Sequence, residues 1–302
     1  MHYNANFAPA ATITAQSGVA GEGTVFGGGT YAVGSQALLW ARGNLGWKFT
    51  SWSDGSTNNS RNIAVVSNSM YTANFTNATM SVLLQVGNGG MAGLWTLGTN
   101  YLPATWAPVT GPLSGGWVLR AKDNNRILLQ AGTGGMMGIW DLNAGGTPTN
   151  WWLVSGALPG WIARDLDGNR ILLQAGDGGM VGIWTLNTNN TPVSWTALSG
   201  PVPNLIAQGL CGKRVLLQNT SGNAAGYWML NASNAVTAWA PIAAAVPSGW
   251  ILRALTDSYI LLQAGDGGMA GLWDLDINGQ PSAWHTITGP LPGWILRGID
   301  QP

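Results

Sequence analysis

The stretch Leu172–Trp184, LLQAGDGGMVGIW, sets one Asp among glycines, and three kinds of loop are written that way. A phosphate-cradling loop needs a Lys and a Ser or Thr after its glycines, at the start of a helix. Here Met180, Gly182 and Trp184 follow on a strand-like run. A calcium loop needs several oxygen ligands. The position of Asp177 reads Asn88, Thr133, Asp177 and Asp266 in four copies, with Asn223 its approximate counterpart in the fourth, rewritten loop, so each loop offers one hard ligand at most. The stretch therefore reads as a tight hairpin whose glycines supply positive φ. A better cation candidate is RDLDGNR, from Arg164, with Asp165, Asp167 and Asn169. Its counterparts AKDNNR, GLCGKR and ALTDSY lack most of those oxygens, so metal is not expected in general, and Asp165 with Asp167 is the one candidate.

Covalent chemistry finds little support. Glycoside hydrolysis needs two poised carboxylates. No acidic pair recurs, Glu22 is the only Glu, and Asp141, Asp274 and Asp276 read as exposed strand or turn residues. Nucleophilic catalysis needs a base beside its nucleophile. His2 and His285 are isolated, and the single Cys211 reads as a small buried hydrophobe. On these residues the chain is expected not to be an enzyme, and no cofactor is implied. Two other residue sets recur. Arg120, Arg164, Arg253 and Arg297 occupy one repeat position and account for four of nine arginines. They are expected either to pair with a turn carbonyl, an Asp or a Trp, or to form a repeated ligand contact. Tryptophans recur three to a repeat, as core or as ligand platforms.

The elements that carry these residues are short strands. Charged residues make up 8%, against a usual ~25%. Twelve basic residues balance twelve acidic ones, so no net field draws the chain to nucleic acid or an anionic membrane. With 45 Gly and almost no Glu the composition argues all-β. No apolar run reaches membrane-spanning length. Leu-Leu-Gln recurs at Gln85, Gln130, Gln174, Gln218 and Gln263, spaced 45, 44, 44 and 45. Ten residues after each Gln stands a Trp: Trp95, Trp140, Trp184, Trp228 and Trp273. A second follows at Trp106, Trp151 or Trp152, Trp195, Trp239 and Trp284. A third follows at Trp117, Trp161, Trp250 and Trp294, with Leu205 in the remaining copy. Each period holds four strand-like runs, for example RILLQ, MVGIWTL, PVSWTAL and NLIAQGL, which is the content of a propeller blade. The expectation is a five-bladed β-propeller over 79–302, with repeats near 81–125, 126–169, 170–213, 214–258 and 259–302. The apolar run ILLQ is expected as the innermost strand, because continuous apolar runs mark strands buried on both faces.

Residues 8–78 carry GGGTY, then GWKFTSWSDG, then YTANF. This pattern resembles the internalin-type B-repeat family, which implies a small β-grasp-like module strung in tandem on bacterial surface and secreted proteins. Trp47, Phe49 and Trp52 are then core, and Ser53-Asp54-Gly55 a turn. YNANF at 3–7 echoes YTANF at 71–75, so residues 1–7 read as the remnant of a preceding repeat and the chain as a C-terminal fragment of a larger protein. The propeller repeats resemble FG-GAP or VCBS repeats, though the acidic calcium loop of that family is largely missing here. In period and blade number they are similar to tachylectin-2-type lectins, which bind N-acetylated amino sugars between blades.

The whole reads as an extracellular, cell-surface binding module, carbohydrate-binding first. The expected site is Trp106, Trp152, Trp195, Trp239 and Trp284, with Arg120, Arg164, Arg253, Arg297 and the loop residues Asp177 and Asp266. Expected partners are glycans or cell-surface polysaccharide, without nucleic acid or membrane insertion. The alternative is an adhesive or filament-forming protein that self-associates or meets other surface proteins through the hairpin methionines Met91, Met136, Met137, Met180 and Met269.

Overall fold

A computed structural model describes residues 9–300; the echo at 3–7 lies outside the described residues. The chain divides into two compact units, Met1–Thr79 and Met80–Pro302. Both are built of strands, and the only helical element among the described residues is a 3-10 turn at Ser114–Gly116.

The first unit packs two sheets. One runs in the order Gly29–Ala32, Ala10–Ser17, Ser69–Asn77, Trp47–Trp52, and its central pair, the first and last strands of the unit, is parallel. That central parallel pair is its grasp-like feature. An antiparallel sheet of Gly23–Phe26, Gln36–Gly43 and Ser60–Ala64 forms the second layer. Alternation decides the faces: Ala11 and Ile13 of one layer meet Ala37, Leu39 and Ala41 of the other, around the buried Trp52. Trp47 and Phe49 are half-buried, and Asp54 sits in the expected turn, bonded to Arg61.

The second unit holds five four-stranded antiparallel sheets. In blade 2 the strands run Trp117–Asp123, Arg126–Ala131, Met137–Leu142 and Pro148–Ser155, in that order across the sheet. Blades 3, 4 and 5 repeat this from Trp161, Leu205 and Trp250. Blade 1 takes Ser81–Val86, Ala92–Leu97 and Pro103–Thr110 from the start of the unit and Trp294–Asp300 from its end. The first strands of the five sheets, Trp294–Asp300, Trp117–Asp123, Trp161–Asp167, Leu205–Cys211 and Trp250–Leu255, each meet the next in a closed cycle, so they form the inner wall of a five-bladed propeller. The sheets are thus offset from the sequence repeats, which begin one strand later.

This overturns one expectation. The innermost strand is the one that starts at the third Trp position, and ILLQ is the second strand. The second strand is buried on both faces because it has a strand on either side within its sheet and a neighbouring blade against each face. A continuous apolar run reports that sandwiching, whereas the inner strand borders the axis and carries an Arg.

The hairpin between second and third strands answers the Gly-Asp-Gly-Gly question. In blade 3, Gly176 and Gly178 take positive φ. A Cβ on Gly179 would overlap the carbonyl of Ala175. The loop is a turn whose backbone only glycine fits, and its Gly178 carbonyl accepts the Val202 N–H of the segment leading to the next blade (2.8 Å).

Candidate functional site

The recurring polar residues sort into three places. The repeat glutamines are fully or almost fully buried. Gln174 Nε2 donates to the Leu205 carbonyl (2.9 Å), and its Oε1 accepts the Ala207 N–H (3.0 Å). Gln85, Gln130, Gln218 and Gln263 bond the inner strand of the following blade in the same way. Each blade is therefore fastened to the next by one side-chain amide acting as a peptide group. In the sequence these glutamines stand out only as a repeat marker. The available signal was a polar residue closing every apolar run, which a buried strand accepts only when fully bonded.

The arginines stand at the axis. Arg120, Arg164, Arg253 and Arg297 each fall at the register shift of an inner strand, and Gln208 takes the fifth position. Each donates Nη2 to a hairpin carbonyl of its own blade: Gly132, Gly176, Gly265 or Gly87. Arg164 also pairs with Asp177 (2.5 Å) and Arg253 with Asp266 (2.5 Å), while Arg297 meets Asn88 (2.8 Å). Burial lowers the pKa of all four, against the pull of the Asp partners in Arg164 and Arg253. No Trp stacks on them among the described contacts.

The second-position tryptophans stand on the outer strands. Trp106, Trp195, Trp239 and Trp284 are 40–45% exposed, and each faces a first-position Trp across the sheet. In blade 2 that place belongs to Trp151, opposite Trp140, and not to Trp152. Trp152 points to the other face, half-buried, and donates Nε1 to Asp141 (2.6 Å). One strand residue reverses the face, and the doubled Trp left the choice open in sequence. Each rim indole lies over a glycine of the third strand, Gly93, Gly138, Gly182, Gly226 or Gly271, where a Cβ would overlap the ring. In four blades it meets the third-position Trp edge to face, as Trp161 and Trp195 do with centroids 5.2 Å apart. In blade 4, Leu205 stands there instead. Two of these sites open as apolar pockets: about 180 Å³ among Leu84, Trp95, Trp106, Leu291 and Trp294, and about 260 Å³ among Leu158, Trp161, Leu173, Trp184 and Trp195.

The expected site is thus split. The indoles gather at the rim and the arginines, with Asp177 and Asp266, around the axis.

The metal candidate is corrected. Asp165 is buried and accepts the N–H groups of Leu166 (2.8 Å) and Leu210 (2.6 Å), and burial raises its pKa well above the ordinary carboxylate value. Asp167 pairs with Arg170 and accepts the Gly212 N–H (3.0 Å). Both carboxylates tie blade 3 to blade 4, and no group of three His, Cys, Asp or Glu side chains suited to a metal forms among the described residues. Asp123 with Arg126 and Gly168 repeats the Asp167 arrangement one blade earlier. Asp274 is also corrected: it is buried, with His285 Nε2 3.2 Å from its Oδ2, and that imidazole stacks on Tyr101 at 3.7 Å. Of the hairpin methionines, Met136, Met180 and Met269 are exposed, Met91 is half-buried and Met137 is buried core. The Met137 side chain is turned inward because it begins the third strand.

Residues 11–79 match the family described as the divergent InlB B-repeat domain. No curated protein matches the chain. Among solved structures, it is similar to a putative 6-phosphogluconolactonase from Bacteroides uniformis, at 12% identity and a TM-score of 0.36, over 70% of this chain and 68% of that one. It is similar to the calcium-binding protein regucalcin from Agrobacterium tumefaciens, at 12% identity and a TM-score of 0.38, over 68% and 76%. It is similar to a luciferin-regenerating enzyme, at 12% identity and a TM-score of 0.39, over 71% and 82%. The expectation that the chain is not an enzyme is corrected on this finding, because its structural neighbours include enzymes. At these identities and scores the likeness assigns no activity. No helix among the described residues is long and apolar enough to cross a membrane.

Proposed function

We propose that the propeller is a glycan-binding module of an extracellular, cell-surface protein, and that its rim indoles receive the apolar face of a sugar ring. One observation carries this reading: a half-exposed Trp at the same place on every blade, held on glycine and in four blades backed by a second indole. An indole presents a flat apolar surface with a polar N–H at its edge, which suits a sugar's C–H face and hydroxyls. Five like sites on one rigid ring multiply a weak single contact on a polymer that reaches several of them. The B-repeat match at 11–79 supports a surface location.

The test is a glycan array probed with the intact chain, with calcium and with chelator. Saturable binding is expected, unaffected by chelator. Trp195→Ala with Trp106→Ala should weaken it about tenfold or more, by loss of stacking and of multivalency, with the circular dichroism spectrum unchanged. A blank array with folded protein overturns the glycan reading. It favours protein contact through the exposed hairpin methionines Met136, Met180 and Met269, whose flexible side chains suit adaptable apolar contacts.

A further inference from the structure

The axial arginines form a second place where the propeller can bind. Inner strands of neighbouring blades lie side by side, so Arg297 of blade 1 stands next to Arg120 of blade 2, and Arg120 next to Arg164 of blade 3. Their charges are unequally matched. Asp177 and Asp266 compensate Arg164 and Arg253. Among the described residues, Arg120 and Arg297 bond only neutral groups: the carbonyls of Gly132 and Gly87 and the amide oxygen of Asn88. The buried Nε–H of each of the four makes no hydrogen bond within the protein. The ring thus holds four guanidinium groups against two carboxylates, and the excess positive charge falls on two adjacent blades.

We propose that the hairpin end of the propeller axis is an oxyanion site, in which Arg297 and Arg120 together hold a phosphate, sulfate or carboxylate group. Guanidinium groups match such oxygens in charge and in planar donor geometry, and half-buried charges are screened less than exposed ones. Burial, with the charges of Arg253 and Arg120, lowers Arg297 to about 9 against the pull of Asp266, and burial with the charge of Arg164 lowers Arg120 to about 10, so both stay cationic at neutral pH. Arg164 and Arg253 hold their Asp partners in the same ring, which leaves blades 1 and 2 as the open half. Gln208 at the fifth position indicates that a neutral side chain is accommodated there. The site is separate from the rim indoles and stands or falls independently of the glycan reading.

The experiment is thermal unfolding and titration calorimetry of the full chain with inorganic phosphate, sulfate or acetate, against chloride at matched ionic strength. A saturable rise in Tm is expected with at least one oxyanion. R120Q/R297Q should weaken that binding about tenfold or more, since it removes both charge-assisted contacts. D177N, which frees Arg164, should strengthen it several-fold. A response to phosphate and sulfate alone assigns a tetrahedral group, and a response to acetate as well assigns a carboxylate; either upholds the site. The proposal is overturned if no oxyanion raises Tm beyond chloride, or if R120Q/R297Q responds as the parent does. Should R120Q/R297Q fail to fold, D177N decides: unchanged or weaker binding overturns it.

Discussion

At the scale of single residues, the buried glutamines hold the ring together. Replacing Gln130 with Leu keeps the volume similar but leaves the Trp161 carbonyl and the Ala163 N–H without partners in a buried interface. Each orphaned buried group costs about 1–3 kcal/mol, so Gln130→Leu is expected to lower stability by roughly 2–6 kcal/mol in urea unfolding. A loss under ~0.5 kcal/mol would mean that water substitutes for the amide. Asp165 makes a second, pH-dependent contribution. Burial holds its folded pKa above the ordinary value of 3.8. Between those two values the folded state keeps a proton that the unfolded state has lost, so this residue makes stability fall as pH rises through that window. Denaturant unfolding at a series of pH values from 4 upward should show the decline, and Asp165→Asn should flatten it.

At the scale of elements, period and hairpin were legible in the sequence and depth within the blade was not. Four runs per repeat and a glycine-only turn follow from local patterning. The second strand imitates an inner one because hydropathy reports how many sides are covered and says nothing about distance from the axis. The doubled Trp151-Trp152 was ambiguous for a related reason. Both are aromatic, and the register that sets their faces is fixed across the sheet, by Trp140 opposite Trp151. The arginine position was readable as a repeat, but its place at the axis required knowing which strand is innermost. The third-strand glycine gives an element-scale prediction. In Gly182→Ala the new methyl meets the Trp195 ring and the Thr196 carbonyl. The indole must swing outward, with a red-shifted tryptophan emission and a cost of about 1–3 kcal/mol for overpacking. Unchanged emission would show that the sheet yields instead.

At the scale of the whole propeller, low charge and abundant Trp are consistent with one architecture. Blades pack face to face through apolar wedges, so the unit needs few ion pairs; Arg170 with Asp167 sits at a seam between blades, while Arg164 with Asp177 and Arg253 with Asp266 lie within their blades at the axis. The cycle of five Gln fastenings has no break, since Gln263 bonds Trp294 and Leu296 of blade 1 and Gln85 carries on to blade 2.

The split blade also sets an order of assembly. Blades 2 to 5 are each made of consecutive hairpins, which need only nearby sequence and form quickly. The three early strands of blade 1 keep an open edge along Ser81–Val86 until Trp294–Asp300 arrives to pair with it. During synthesis from the N-terminus this edge is exposed for nearly the whole translation of the propeller, and an unpaired strand edge invites wrong partners. Trp294–Asp300, the propeller's last strand in chain order, is therefore the one that ends that exposure.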